Sequence, residues 1–124
     1  ISNLIRFHKS HGKTVTISGV RPPARFGELK LDNDQVTSFE EKPQLHEGWI
    51  NGGFFVMEPE SMELIKGDDM MLEREPLVVA AKQGELMAYR HEGFWQCMDT
   101  HRDYLYLNDL WDRDQAAWKV WENP

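Results

Sequence analysis

The stretch FWQCMDT, residues Phe94–Thr100, joins an aromatic, apolar run to a carboxylate and then to a hydroxyl. The apolar run predicts a strand over Phe94–Met98, and Asp99 follows at the point where that strand should end. Thr100 is a typical N-cap, and Asp103 is a weaker form of the capping-box partner, so we expect a helix to begin here. A strand that leads directly into a helix favours an α/β fold.

The position of Asp99 suggests a function as well as a fold. In open α/β sheets, ligands bind at the carboxyl ends of the strands, just before the helices that follow. A carboxylate at such a place is a candidate metal ligand. On this stretch alone, a purely structural role for Asp99 in supporting the turn is the competing interpretation.

Helical and strand patterns alternate along the rest of the chain. The predicted helices are Ser2–Ser10, Pro59–Lys66, Met71–Gln83 and Thr100–Trp111. The predicted strands are Thr14–Ser18, Phe26–Leu31, Val36–Phe39, Phe54–Met57, Leu86–Arg90 and Phe94–Met98. Since one hairpin interrupts an otherwise mixed order, the pattern predicts a single α/β domain rather than a bundle or a sandwich.

The composition excludes several classes of protein. The chain has 124 residues and a formal net charge of −7, and it contains no basic stripe of the kind that binds nucleic acid. Cys97 is the single cysteine, which excludes a disulfide framework and a cysteine zinc site. The scattered histidines do not favour a metal site. No run is long enough to span a membrane and nothing resembles a secretory signal, so we expect a cytoplasmic protein.

Two short stretches have the chemistry of a binding site. Glu41 and Lys42 precede a proline at a strand end, where the lysine could meet a phosphate and the glutamate could accept from hydroxyls. A solvated strand end would have the same sequence. Asn51 and the glycines that follow it interrupt an apolar strand, which indicates either a bulge, a ligand close to the backbone, or a plain tight turn. The amide of Asn51 suits a hydroxyl-rich ligand.

Two further positions are open to both a structural and a functional interpretation. Gly27 lies near the start of a predicted strand and would allow a ligand to approach the backbone closely. Glu75 lies early in a predicted helix, where the helix dipole favours a carboxylate in any case.

The order of these motifs resembles the sugar-1-phosphate nucleotidyltransferase family. The motifs follow one another as RFG at 25–27, FEEKP at 39–43, INGGFFV at 50–56 and FWQCMDT at 94–100. The segments KQGELMA at 82–88 and AWKVWE at 117–122 are most similar to the branch of the family that uses CTP. The resemblance therefore covers essentially the whole chain.

The resemblance implies a fold and a reaction. The fold would be the carboxyl-terminal part of a Rossmann-like nucleotide-diphospho-sugar transferase, with a mixed sheet and flanking helices. The reaction would transfer CMP from CTP to glucose 1-phosphate, with Mg²⁺ as cofactor. Products of this kind supply surface polysaccharides such as the O-antigen of lipopolysaccharide.

The resemblance also implies roles for individual residues. Asp99 would be one of two magnesium-binding aspartates, and Lys42 would contact the sugar phosphate, which makes these two residues catalytic. Glu41 and Asn51 would hold sugar hydroxyls. The full substrate-binding set would be Gly27, Glu41, Lys42, Asn51, Gly52, Glu75 and Trp95.

Two features of the family have no counterpart in the sequence. The glycine-rich nucleotide loop is absent, and so is the second metal aspartate, which we would expect shortly before Ser2. We therefore expect residues 1–124 to form the sugar-binding and carboxyl-terminal half of a longer enzyme, inactive alone. Exposed aromatic residues near the carboxyl end favour a homo-oligomer. Two alternatives remain: an enzyme that uses UTP or dTTP, and a non-catalytic binding or oligomerisation module of the same fold.

Overall fold

The computed structural model describes residues 1–22, 28–40 and 48–122. They divide into two compact units, Ile1–His91 and Glu92–Pro124. The elements are α1 (Ser2–His11), β1 (Val15–Val20), β2 (Glu28–Asp32), β3 (Gln35–Glu40), β4 (Ile50–Met57), a 3-10 helix (Pro59–Leu64), α2 (Glu75–Lys82), β5 (Leu86–His91) and α3 (His101–Asp112). The predicted mixed α/β order is confirmed. No helix in these ranges is long and apolar enough to cross a membrane.

A three-stranded mixed sheet organises the first unit. Its order is β4-β1-β5, with β1 antiparallel to β4 and parallel to β5. The alternating pattern of β1 predicts a half-buried strand, and this is wrong, because both Val15 and Thr16 are completely buried. Thr16 can be buried as a polar residue because its hydroxyl is hydrogen-bonded inside the unit.

The predicted hairpin forms a separate two-stranded sheet of β2 and β3. Asp32 pairs with Gln35, so the turn consists of the two residues between them. Asn33 adopts a positive φ of 52°, which asparagine tolerates better than most residues.

Helices α1 and α3 begin or end where their sequence signals predict, whereas α2 is shorter than predicted. Gly12 ends α1 in the left-handed conformation, with φ 68°. The predicted helix Met71–Gln83 begins only at Glu75. Pro76 lies in the first turn of α2, and its ring would clash with the carbonyl four residues earlier if the helix began at Met71. The predicted helix Pro59–Lys66 is a 3-10 helix that ends at Leu64.

The predicted strand Phe94–Met98 is wrong. These residues form no β structure, although they are followed by α3 as expected. Contacts within the second unit, and not hydrogen bonds to a neighbouring strand, hold residues Phe94–Met98 in place. The amide of Gln96 donates to Asp103 at 3.2 Å, and the ring of Phe94 lies 5.8 Å from that of Trp118.

A chain of hydrogen bonds joins α1 to the sheet. The backbone N–H of Lys13 donates to Nδ1 of His11 at 2.8 Å, so the proton of that neutral imidazole is on Nε2. This Nε2–H therefore donates to the Thr16 hydroxyl at 2.6 Å. The Thr16 O–H then donates to Nδ1 of His8 at 2.7 Å. His8 completes the chain by donating from Nε2 to Glu58 at 2.9 Å.

This chain of hydrogen bonds accounts for the burial of His8. His8 is 4% exposed, yet both of its ring nitrogens have a partner. Thr16 contributes its one proton and accepts another, so both imidazoles are satisfied while each carries a single proton. The histidines thus fix the position of α1 against β1 and the end of β4.

The chain of hydrogen bonds makes the stability of the fold depend on pH. The pKa of His11 is lowered below the usual 6.5, first by burial and then by the nearby charges of His8 and Lys13, while Glu85 opposes the shift. Because the unfolded chain then binds the proton first, this contribution to stability is complete above pH 6.5 and is lost as the pH falls towards the lowered pKa. We expect the Tm of the full-length protein to fall between about pH 7.5 and about pH 5.5.

Two variants isolate this effect. Replacing His11 by Gln should flatten the decline in Tm, whereas replacing the exposed His101 by Gln should leave its slope unchanged. Glu85 does not interfere, because hydrogen bonds from Thr14 lower its pKa below 4.5, so that its contribution is lost only at more acidic pH. An identical slope in His11→Gln and in the unaltered protein would contradict the assignment.

Candidate functional site

A bulge in β4 forms the centre of the candidate sugar site in the first unit. Ile17 pairs with Phe55 and Gly19 pairs with Asn51, so three residues of β4 face the single residue Ser18 of β1. Gly53 has a φ of +94°, which most other residues would avoid. Of the interpretations open from the sequence, the structure confirms the bulge and not the tight turn.

Local hydrogen bonds hold the bulge in shape. The side-chain oxygen of Asn51 accepts from the backbone N–H of Gly53 at 2.8 Å. The Ser18 hydroxyl accepts from the N–H of Phe54 at 3.1 Å, replacing the partner that the ladder would have supplied. The hydrogen bond to Gly53 fixes the side chain of Asn51 through its oxygen. Because Asn51 is exposed, the side chain remains accessible to a ligand.

Gly52 is required by packing inside the sheet. A Cβ at this position would lie 2.8 Å from Oγ of Ser18 and 2.9 Å from Cγ1 of Val20. In the structure, strand β1 is what approaches the backbone closely at Gly52. The role of Gly52 towards a sugar stays a prediction.

Substitution of Gly52 by Ala should lower the free energy of unfolding of the full-length protein by about 1–3 kcal/mol, as overpacking of a tight interior usually does. The matched control is Gly19→Ala in β1, where the nearest atom to the new Cβ would be 3.6 Å away, an ordinary contact. Chemical denaturation of both variants measures the difference. Equal stability of the two would contradict the packing account.

Asp99 and Trp95 lie in the second unit, next to the beginning of α3. The predicted capping box is confirmed: the Thr100 hydroxyl accepts from Asp103 N–H at 3.1 Å, and the Asp103 carboxylate accepts from Thr100 N–H at 3.2 Å. The backbone N–H of Asp99 also donates to Asp103. Because Asp103 supports the turn, the exposed carboxylate of Asp99 is not needed for it. Trp95 is half-buried.

Asp99 offers one exposed carboxylate as a possible metal ligand. In the part of the chain that the structure describes, no three His, Cys, Asp or Glu side chains come together as a metal site. Magnesium, however, is commonly held by one or two carboxylates together with substrate phosphates and water. A single accessible carboxylate is therefore compatible with Asp99 as one protein ligand.

The remaining predicted residues are distributed as follows. Glu75 is exposed in the first turn of α2, as the sequence indicates. Asn51, Gly52 and Glu75 belong to the first unit, and Trp95 and Asp99 belong to the second. The predictions for Gly27, Glu41 and Lys42 lie outside the described residues.

Sequence reasoning missed two residues beside the bulge. Trp49 lies next to Gly19, and the guanidinium of Arg90 lies 5.8 Å from the centre of the Trp49 ring. Arg90 occupies the carboxyl end of a predicted strand, which is the signal that could have drawn attention to it.

Comparison with known proteins identifies the family. Residues 1–112 match the family model described as nucleotidyl transferase. The chain belongs to the nucleotidyl transferase family. The resemblance carried by the order of the motifs is thereby confirmed, and Asn51, Trp95 and Asp99 lie within the part of the chain that the structure describes.

Two curated relatives show how far the likeness extends. A glucose-1-phosphate cytidylyltransferase from Salmonella typhi is 52% identical over 98% of the chain and 48% of its own length. The catalytic subunit beta of a mannose-1-phosphate guanylyltransferase from Dictyostelium discoideum is 33% identical over 88% of the chain and 33% of its own length. The chain thus spans about half the length, or less, of these relatives.

A solved structure supports the fold alone. It is a glucose-1-phosphate thymidylyltransferase from Bacillus anthracis in complex with sucrose, 16% identical, with a TM-score of 0.58. It covers 95% of this chain, which covers 50% of the solved chain. The Rossmann-like sugar nucleotidyltransferase fold expected from the sequence is confirmed.

Proposed function

We propose that the full-length protein is a glucose-1-phosphate cytidylyltransferase, which transfers CMP from CTP to glucose 1-phosphate and releases pyrophosphate. The observation that carries the proposal is the 52% identity to such an enzyme over 98% of the chain. The relative that carries the name of a guanylyltransferase is only 33% identical. Residues 1–124 would be the sugar-binding and carboxyl-terminal half of this enzyme, within one domain.

The proposed reaction is an in-line displacement at phosphorus. A phosphate oxygen of glucose 1-phosphate attacks the α-phosphorus of CTP, and the bond from that phosphorus to the bridging oxygen of the β-phosphate breaks. The electron pair of that bond leaves with pyrophosphate, so the reaction needs no oxidant or reductant. Since two anions must approach each other, catalysis depends on positioning and on neutralisation of charge.

Each proposed residue contributes one part of that task. Lys42 would hold the sugar phosphate, while Glu41 and Asn51 would hold sugar hydroxyls and so orient the attacking oxygen. Gly27 and Gly52 would let the backbone close on the sugar, and Glu75 and Trp95 would line the site. Asp99 would hold Mg²⁺, which supplies charge neutralisation at the reacting phosphates when it is bound.

The proposal extends to assembly and location. We propose a cytoplasmic homo-oligomer with no nucleic-acid or membrane partner, in a route to surface polysaccharide. The aromatic segment after α3 supports the oligomer: the Trp111 ring lies 6.4 Å from the rings of both Trp118 and Trp121, and Trp121 is exposed. Exposed aromatic clusters are common where subunits meet.

Competition between nucleotides tests the choice of CTP. The full-length protein is incubated with glucose 1-phosphate, Mg²⁺ and an equal mixture of CTP, UTP, dTTP and GTP, and the nucleotide sugars that form are separated and quantified by chromatography. We expect kcat/KM for CTP to exceed that for each of the others by about 10-fold or more. A preference for UTP, dTTP or GTP would contradict the choice of CTP and show that the enzyme uses that nucleotide instead. No turnover of any nucleotide would favour the non-catalytic module instead.

A further inference from the structure

Two side-chain oxygen atoms hold the bulge of β4 in shape. Oδ1 of Asn51 accepts from the backbone N–H of Gly53 at 2.8 Å, and the Ser18 hydroxyl accepts from the N–H of Phe54 at 3.1 Å. A bulge interrupts the hydrogen bonds between strands, so its N–H groups need other partners. Because these two N–H groups are consecutive in the chain, the loss of one acceptor should alter the geometry at the other.

The hydrogen bond to Gly53 also determines which atoms Asn51 offers to a ligand. A backbone N–H is a donor, so the side-chain atom that faces it is the oxygen and not the nitrogen. Nδ2 of Asn51 makes no hydrogen bond to any residue in the ranges 1–22, 28–40 and 48–122. Since Asn51 is exposed, its Nδ2 can donate to oxygen atoms of a ligand.

Ser18 is placed where it cannot touch the same ligand. Asn51 pairs with Gly19, the residue that follows Ser18 in β1. Paired residues of neighbouring strands share a face, and successive residues of one strand alternate between faces, so the side chains of Ser18 and Asn51 lie on opposite faces of the sheet. Ser18 is also only 7% exposed. Any effect of its hydroxyl on a ligand must therefore pass through the backbone of the bulge.

We propose that Ser18 is a positioning residue for the sugar substrate. By accepting from the N–H of Phe54, it holds the bulge in the shape in which Asn51 donates from Nδ2 to a hydroxyl oxygen of the sugar. Gly52 permits this arrangement, because a Cβ there would lie 2.8 Å from Oγ of Ser18. The inference rests on the proposed function for the identity of the ligand, glucose 1-phosphate.

Calorimetry of glucose 1-phosphate with the full-length protein and its Ser18→Ala variant tests the proposal. We expect the Kd to rise about 10-fold, which corresponds to the loss of one hydrogen bond between Asn51 and the sugar. The matched control is Ser61→Ala. Ser61 is also buried, and its hydroxyl donates to the carbonyl oxygen of Glu58 at 2.7 Å, away from the bulge. Its loss should leave the Kd unchanged.

A double-mutant cycle separates positioning from a general effect on the fold. Asn51→Ala alone should raise the Kd about 10-fold, and adding Ser18→Ala to it should cause no further rise, because Ser18 acts through Asn51. The same rise in both backgrounds, no rise in Ser18→Ala, or a similar rise in Ser61→Ala would overturn the proposal. Each of these results would leave the proposed function intact, whereas failure of the unaltered protein to bind glucose 1-phosphate would overturn both.

Asn51→Asp tests the direction of the hydrogen bond to the sugar. The carboxylate can still accept from the N–H of Gly53, so the bulge should persist, but it has no donor to offer. We expect the Kd of glucose 1-phosphate to rise at least as much as in Asn51→Ala. Unchanged affinity in Asn51→Asp would overturn the donor role of Asn51, and with it the positioning role of Ser18.

Discussion

Replacing Asp99 by Asn in the full-length protein should reduce kcat for CDP-glucose formation by about 100-fold or more, because the Mg²⁺ that we propose Asp99 holds would supply several kcal/mol of stabilisation to the transition state. The substitution keeps the shape of the side chain and removes its charge. The capping box should survive, since it is formed by Thr100 and Asp103. The Mg²⁺ concentration that gives half-maximal rate should rise in the variant.

The control for Asp99→Asn is Asp112→Asn, which removes an exposed carboxylate from the other end of α3. Its kcat and Mg²⁺ dependence should match those of the unaltered protein. Thermal denaturation should show that both variants remain folded. If Asp99→Asn retained full activity with the same Mg²⁺ dependence, Asp99 would be only a residue of the turn.

Replacing Thr16 by Val should lower the free energy of unfolding by about 2–4 kcal/mol, the second large effect that we expect. The substitution nearly preserves volume but removes the hydroxyl. His8 then loses a hydrogen bond at Nδ1 and His11 loses one at Nε2, in a region where His8 and Thr16 are shielded from water. The buried Nδ1 of His8, left without a partner, accounts for most of the cost.

The matched control is Thr16→Ser, which keeps the hydroxyl and removes one methyl group. Its destabilisation should be about 1 kcal/mol, the usual cost of one buried methyl or methylene group. Chemical denaturation of the full-length variants gives both values. If Val were tolerated better than Ser, packing at this position would matter more than the chain of hydrogen bonds.

Local sequence signals predicted the ends of helices well. Thr100 and Asp103 form their capping box, and Gly12 ends α1, because each feature depends on atoms within a few residues. The glycines after Asn51 left a bulge, a close ligand and a tight turn open, and the positive φ of Gly53 belongs to the bulge. The mixed order of helices and strands followed from such local patterns.

Signals that depend on distant partners were harder to interpret. The apolar run Phe94–Met98 resembles a strand, but a strand requires a neighbour, and here these residues make contacts near α3 instead. The position of Arg90, across β1 from Asn51, was missed because it depends on the register of three strands. The alternating pattern of β1 predicted an exposed side chain for Thr16. The residue is buried because its hydrogen-bond partners come from helix α1 and not from its own strand.

The case for Asp99 as a metal ligand rests on the family and no longer on its own stretch. Residues Phe94–Met98 form no strand, so Asp99 does not lie at a strand end as predicted. The exposed carboxylate and the independent support of the turn by Asp103 nevertheless fit a role in binding Mg²⁺.

The most direct test of the account compares the full-length protein with the isolated 124-residue chain. Each is incubated with CTP, glucose 1-phosphate and Mg²⁺, and CDP-glucose is identified by chromatography and mass spectrometry. The account predicts CDP-glucose from the full-length protein and none above background from the isolated chain. CDP-glucose made by the isolated chain, or no CDP-glucose from the full-length protein, would contradict it.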